Sequence, residues 1–118
     1  MEDFMVILKN EFDAGEDSFL IKLRPNLEWN KEAFDRLTSA MKLCVEEESS
    51  KAKLERWTAF GFWFIPRFVR SWVEHPDFPK PYTADYYEKA FTRLDDLAYW
   101  YFMGTSPYEA GKVFEKLT

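Results

Sequence analysis

One stretch constrains this chain more than any other. Trp57, Gly61, Phe64, Phe68 and Trp72 recur at spacings of four, three, four and four, the period of a helix face. Leu54, Ile65 and Val69 widen that face, and the polar strip left over is narrow: Arg56, Arg67, Arg70 and Glu74. A helix so largely apolar has to be mostly buried. The stretch over 52–74 is therefore expected to be the central element, its Trp57–Trp72 rings forming the body of the core. Pro66 removes the hydrogen bond to the Phe62 carbonyl and predicts a kink or break. Gly61 leaves room for a neighbouring helix to come close.

The remaining segments read as helices around it. Phe4, Leu8 and Phe12 fit a helical stripe, with Asp3 as N-cap and Gly15 as a terminator, although Met5-Val6-Ile7 also suits a strand. Phe19 to Leu23 is either extended or a short helix, closed by Arg24-Pro25. Residues 31–47 are the clearest helix. Asn30 caps it, Glu32 stands in the first turn, and Phe34, Leu37, Met41, Cys44 and Val45 form one apolar face. Pro76, Pro79 and Pro81 make 75–81 a rigid crossing loop. Thr83 then caps a helix that Gly104 ends, with Tyr87, Ala90, Phe91, Leu94, Ala98 and Tyr101 inward. Ser106-Pro107-Tyr108-Glu109 has the form of a capping box, which predicts a last helix with Ala110, Val113, Phe114 and Leu117 inward. The expected architecture is all-α: one domain over 1–118, a compact bundle of four to six helices whose central helix is kinked at a proline.

Charge narrows the partners. The net charge is −5, distributed as −6 over 1–50, +3 over 51–76 and −2 over 77–118. Such a surface repels a polyanion, so neither nucleic acid nor an anionic membrane is expected as a partner; a basic protein would be attracted. Cys44 is the one cysteine. It allows no internal disulfide and suits a reducing compartment. The beginning Met-Glu-Asp does not read as a signal peptide. The longest apolar run, Trp57 to Pro66, is far short of the roughly 20 residues that span a bilayer. A cytoplasmic protein is the expectation.

Few residues offer chemistry. One His and one Cys cannot supply a common zinc site, no Gly-rich phosphate loop is present, and Asp95 and Asp96 are adjacent, hence on different helix faces. A Ser-His-Asp arrangement would rest on His75 alone, which reads better as a charge at a helix end. Cys44 lies on an apolar face and reads as a small buried hydrophobe. Arg67, Arg70 and Glu74 read as a surface ion-pair row. No enzyme, metal or cofactor is expected. A binding face has better support. Glu88, Asp95, Asp96 and Tyr99 lie away from the core stripe of their helix, with Trp100 on its other flank. Rings anchor and carboxylates steer. Tyr99 and Trp100 could instead pack under residues 1–29. Glu46, Glu47 and Glu48 are a second acidic candidate, or simply a solvated helix end.

The strings Leu23-Arg24-Pro25-Asn26-Leu27-Glu28-Trp29, Phe62-Trp63-Phe64-Ile65-Pro66, Phe68-Val69-Arg70-Ser71-Trp72 and 93–102 (Arg-Leu-Asp-Asp-Leu-Ala-Tyr-Trp-Tyr-Phe) resemble small bacterial immunity proteins of contact-dependent growth inhibition systems. The likeness runs from about Phe19 to Tyr108. It implies an acidic single-domain protein, monomeric before complex formation, that binds the C-terminal toxin domain of a secreted effector, often a basic nuclease, and occludes its active or substrate-binding surface. It transfers no residue roles, because the contact surface varies with each cognate toxin. Two other functions fit the residues. One is a small enzyme or ligand-binding protein, with Trp63, Trp100 and Tyr101 stacking on an apolar ligand. The other is a structural subunit of a homo-oligomer.

Overall fold

The computed structural model describes residues 3–108 together with Phe114 and Leu117. Among them are five helices: α1 (Phe4–Phe12), α2 (Phe19–Leu23), α3 (Lys31–Glu48), α4 (Arg56–Val73) and α5 (Ala84–Met103). No described residue is in a strand. The all-α expectation holds, and the two ambiguous N-terminal segments are both helical. Of the last predicted helix, Glu109 of its capping box, Ala110 and Val113 lie outside the described residues, while Phe114 and Leu117 are half-buried against the core and carry no helical assignment. Ser106 does cap locally, its Oγ accepting from the Tyr108 N–H at 3.0 Å.

Each helix starts where the sequence supplies an acceptor for its first free N–H groups. Asp3 accepts from the Met5 N–H at 3.1 Å, Ser18 from Ile21 at 3.2 Å, Asn30 from Ala33 at 2.8 Å and Thr83 from Tyr86 at 3.1 Å. α4 is the exception. Its Glu55 makes no side-chain cap and accepts instead from the Trp57 indole N–H at 2.7 Å. Gly104 ends α5 in the left-handed conformation at φ 75, as expected. α1 ends differently from its reading. The left-handed residue is Ala14, at φ 54. Gly15 follows it, donating to the Asn10 carbonyl at 2.8 Å, and a Cβ at Gly15 would land 2.0 Å from Asn10 Oδ1.

Antiparallel α4 and α5 form the most extensive pair, α1 packs on α3, and α3 packs on α5. The α3 face read from the sequence, Phe34 through Val45, is wholly buried. Trp29 ties the 24–30 loop to the bundle: its indole N–H donates to the Tyr86 hydroxyl at 2.9 Å, and its ring meets Phe19, Phe34 and Tyr87 at 4.9–5.3 Å. Glu11 is 1% exposed. Its carboxylate accepts from the Phe19 N–H at 2.9 Å and from Arg36 Nε at 2.9 Å, locking α1, α2 and α3 together.

α4 is one helix, continuous through Pro66, which is buried in its interior; of the two alternatives read at Pro66, the break does not occur. Its buried face departs from its reading, because it is not the Trp57–Trp72 line. Thr58, Gly61, Phe62, Ile65, Pro66, Val69 and Val73 are the buried residues, an arc turned by about 100° from that line, one residue's step around a helix. Two neighbours set the arc. Phe62 stacks on Tyr101 of α5 at 4.2 Å, and Gly61 receives the Phe12 ring of α1, where a Cβ would stand 2.1 Å from a ring carbon. The other rings are displaced to the flank. Phe60, Phe64, Phe68 and Trp72 form a ladder of stacked rings 5.2–5.8 Å apart, anchored where the Trp72 indole donates to the Leu23 carbonyl at 3.2 Å. The inner members are half-buried. Phe60 and Trp63 are exposed, at 56% and 51%.

Candidate functional site

The exposed stripe of α4 is Arg56, Phe60, Trp63, Arg67, Ser71 and Glu74; that of α5 is Glu88, Thr92, Asp95, Tyr99 and Phe102. Where the stripes converge they bound a groove of about 770 Å³, floored by Phe62, Pro66 and Ala98. Tyr99 is 51% exposed and Phe102 46%. With Trp63 they give the groove an aromatic end. Its other end is polar, with Glu74 and His75.

Arg70 crosses the groove floor. Its Nη2 lies 3.0 Å from Asp95 Oδ2, and its guanidinium lies 4.7 Å from the Phe91 ring centre. The expected row along α4 is therefore not what forms, since Arg70 pairs with α5 rather than with Glu74. The i,i+4 geometry on one helix loses to a partner that a packed neighbour already holds in place. Asp95 is consequently half of an ion pair and not a free acid. Arg67 stands one turn away, exposed, its guanidinium 5.0 Å from the Trp63 ring centre. No carboxylate among the described residues lies within ion-pairing distance of it.

The remaining candidates separate. Asp95 and Tyr99 meet in the groove. Glu88 is exposed on the same stripe beyond it. Asp96 and Trp100 lie on the opposite flank of α5, half-buried. The Trp100 ring is 6.3 Å from Tyr108, and the Tyr108 hydroxyl is pushed up to about 12, by burial first and then by the Asp96 charge. Tyr99 is exposed rather than packed under residues 1–29, and Trp29 reaches the N-terminal half of α5. Glu46, Glu47 and Glu48 end α3, where Glu46 pairs with Lys42 at 3.0 Å, Glu48 pairs with Lys51, and Glu47 is exposed.

The three rings considered for a ligand pocket do not converge. Trp63 faces outward, Trp100 sits on the far flank, and Tyr101 is buried with its hydroxyl 2.9 Å from Thr58 Oγ1. His75 is exposed, its Nδ1 accepting from the Asp77 N–H at 3.1 Å. Cys44 is buried, and burial, reinforced by the charges of Glu48 and Glu47, pushes its thiol up to about 12. Among the described residues no three His, Cys, Asp or Glu gather as metal ligands, and no helix is long and apolar enough to cross a membrane.

Phe60 and Phe102 are the site residues that sequence reasoning missed, and Trp63 and Arg67 carry other roles in the sequence reading, a ligand-stacking ring and a member of an ion-pair row. A signal for Phe60 existed: stepping back from Arg67 along the polar strip by four and then three residues gives Trp63 and Phe60. Both rings belong to the outward strip, and counting only its charged members hid that. Searches of protein-family models, curated proteins and solved structures return no match to this chain.

Proposed function

We propose that this protein is a binding inhibitor of the immunity type. It holds a toxin domain against its α4–α5 face and occludes that domain's active or substrate-binding surface, acting in the cytoplasm of the cell it protects. The observation that carries this reading is the cluster of outward rings, Phe60, Trp63, Tyr99 and Phe102, each about half exposed on the two helices that pack most extensively on each other. Burying a large aromatic side chain is worth roughly 1.5–3 kcal/mol. Rings, tyrosines and arginines are also the residues in which interface energy concentrates. The likeness to growth-inhibition immunity proteins supports the same reading. So does the net charge of −5, which speeds encounter with a basic toxin such as a nuclease. Glu88 and Glu47, exposed outside the groove, serve steering; Tyr99 serves anchoring.

Co-expression with a toxin domain encoded beside this gene tests it. The two chains are expected to purify as a 1:1 complex in which toxin activity is suppressed. Trp63→Asp and Tyr99→Asp are each expected to weaken the complex at least 100-fold with an unchanged melting temperature. A complex indifferent to both substitutions would refute the docking face. A neighbouring toxin domain that fails to bind at micromolar concentration and low salt would refute the immunity reading.

A further inference from the structure

We infer that the α4–α5 groove accepts an amphipathic helix from the partner, and that Arg67 reads a carboxylate on that helix, one turn from the apolar side chain seated among Trp63, Tyr99 and Phe102. The inference rests on the docking face proposed above and adds the chemistry of what fills it.

Shape and charge order carry it. Two antiparallel helices leave between them a channel into which a third helix packs, ridge into groove. From Trp63 to Glu74 the α4 edge runs eleven residues, about 17 Å or three turns at 1.5 Å per residue, which is a length a short helix matches. Along that edge the groove presents three zones in order: rings, then the Arg67 cation, then Glu74. The two arginines differ in what they have left to give. Arg70 spends its charge on Asp95 at 3.0 Å. Arg67 has its guanidinium over the Trp63 ring, 5.0 Å from the ring centre. Its edge N–H groups, the fork that grips a carboxylate through two parallel hydrogen bonds, point to no carboxylate among the described residues. The indole holds the guanidinium in place, so less side-chain freedom is lost when a carboxylate docks. The complementary helix carries an apolar residue, an acid three or four positions on, and a base a further turn away towards Glu74. The acid is a local requirement. The chain as a whole is acidic, and a uniformly acidic helix would be repelled.

A phage-displayed library of helical peptides, three to five turns long with one randomised face, tests this against the intact protein. Enriched peptides are expected to carry Asp or Glu three or four residues from Leu, Phe or Trp. In fluorescence anisotropy, changing that acid to its amide and Arg67→Ala are each expected to weaken binding at least tenfold, with the combined change no worse than either alone. Arg67→Lys should restore only part, because an ammonium lacks the fork. Peptides that bind without an acid in register, or equally well to Arg67→Ala, overturn the carboxylate reading. If Trp63→Asp still abolishes their binding, the docking face survives that result. Failure to enrich any peptide sensitive to Trp63→Asp overturns both. A concentration-dependent dimer in light scattering, dissolved by Trp63→Asp, also overturns it, by showing that a second copy is the occupant.

Discussion

Removing the Glu11 carboxylate is expected to damage this fold more than its place in a nine-residue helix suggests. The group is 1% exposed and serves three helices at once. It accepts the first N–H of α2 from Phe19 at 2.9 Å, and Arg36 of α3 at 2.9 Å, whose guanidinium also donates to the Asp17 carbonyl. In Glu11→Ala the buried Phe19 N–H loses its acceptor, and a hydrogen bond to a charged group is worth about 1.5–3 kcal/mol. The Arg36 side chain is 41% exposed, so water reclaims much of its charge and that pair adds about 1 kcal/mol or less. The total is roughly 1.5–4 kcal/mol, a large share of the 5–15 kcal/mol typical of a domain. Glu11→Gln separates the parts. Its carbonyl oxygen still accepts from Phe19 while its amide no longer pairs with Arg36, for a cost of about 1 kcal/mol. Urea unfolding followed by tryptophan fluorescence measures both. A cost under about 1 kcal/mol for Glu11→Ala, or equal costs for the two variants, would refute the assignment of the larger part to the Phe19 contact.

The other expectations concern the thiol, the helix ends and the interhelical contacts. Cys44 is raised from 9.0 to about 12 in the folded state. Its contribution is therefore complete below pH 9 and is lost as pH rises from 9 towards 12, at up to about 1.4 kcal/mol per unit; a Cys44→Ala variant should show a shallower loss over that window in alkaline unfolding curves. The same burial leaves the native thiol silent to a thiol reagent at pH 8, and rapid labelling before unfolding would contradict it. Ala14→Gly relieves a left-handed alanine and should stabilise by roughly 1 kcal/mol, read as a raised urea midpoint. Gly61→Ala drives a methyl into the Phe12 ring and should cost about 1–3 kcal/mol. A double-mutant cycle on Arg70 and Asp95 should return a coupling of only about 0.2–1 kcal/mol, since Asp95 is exposed.

The helices of this chain were legible because local signals and burial agree. Asn30 and Thr83 cap where the sequence says they should, and the α3 face from Phe34 to Val45 is the face that is buried. The orientation of α4 was not legible. Its rings are so numerous that several faces look apolar, and the choice between them is made by partners distant in sequence: Phe12 against Gly61 and Tyr101 against Phe62. Period alone points to the Trp57–Trp72 line as core, and the true arc is fixed by what fits beside Gly61. The candidate site was half legible for the same reason. Tyr99 and Asp95 follow from the period of α5 itself. That Asp95 is already paired depends on Arg70, 25 residues earlier. Glu11 was invisible as a keystone, because nothing local distinguishes a carboxylate that will be enclosed by α2 and α3 from one left in water.

Phe62 and Trp63 are neighbours in the chain with opposite duties, one stacked inside on Tyr101 and the other turned outward. The same division recurs along α4 and α5. Under the inhibitor role proposed above, a lineage that must track a changing toxin gains from this layout. Positions 60, 63, 67, 99 and 102 can be rewritten one at a time, while 62, 65, 69, 94 and 101 hold the scaffold still. Recognition and foldability then diverge at separate rates within the same thirty-eight helical residues, and a new specificity does not require a new fold.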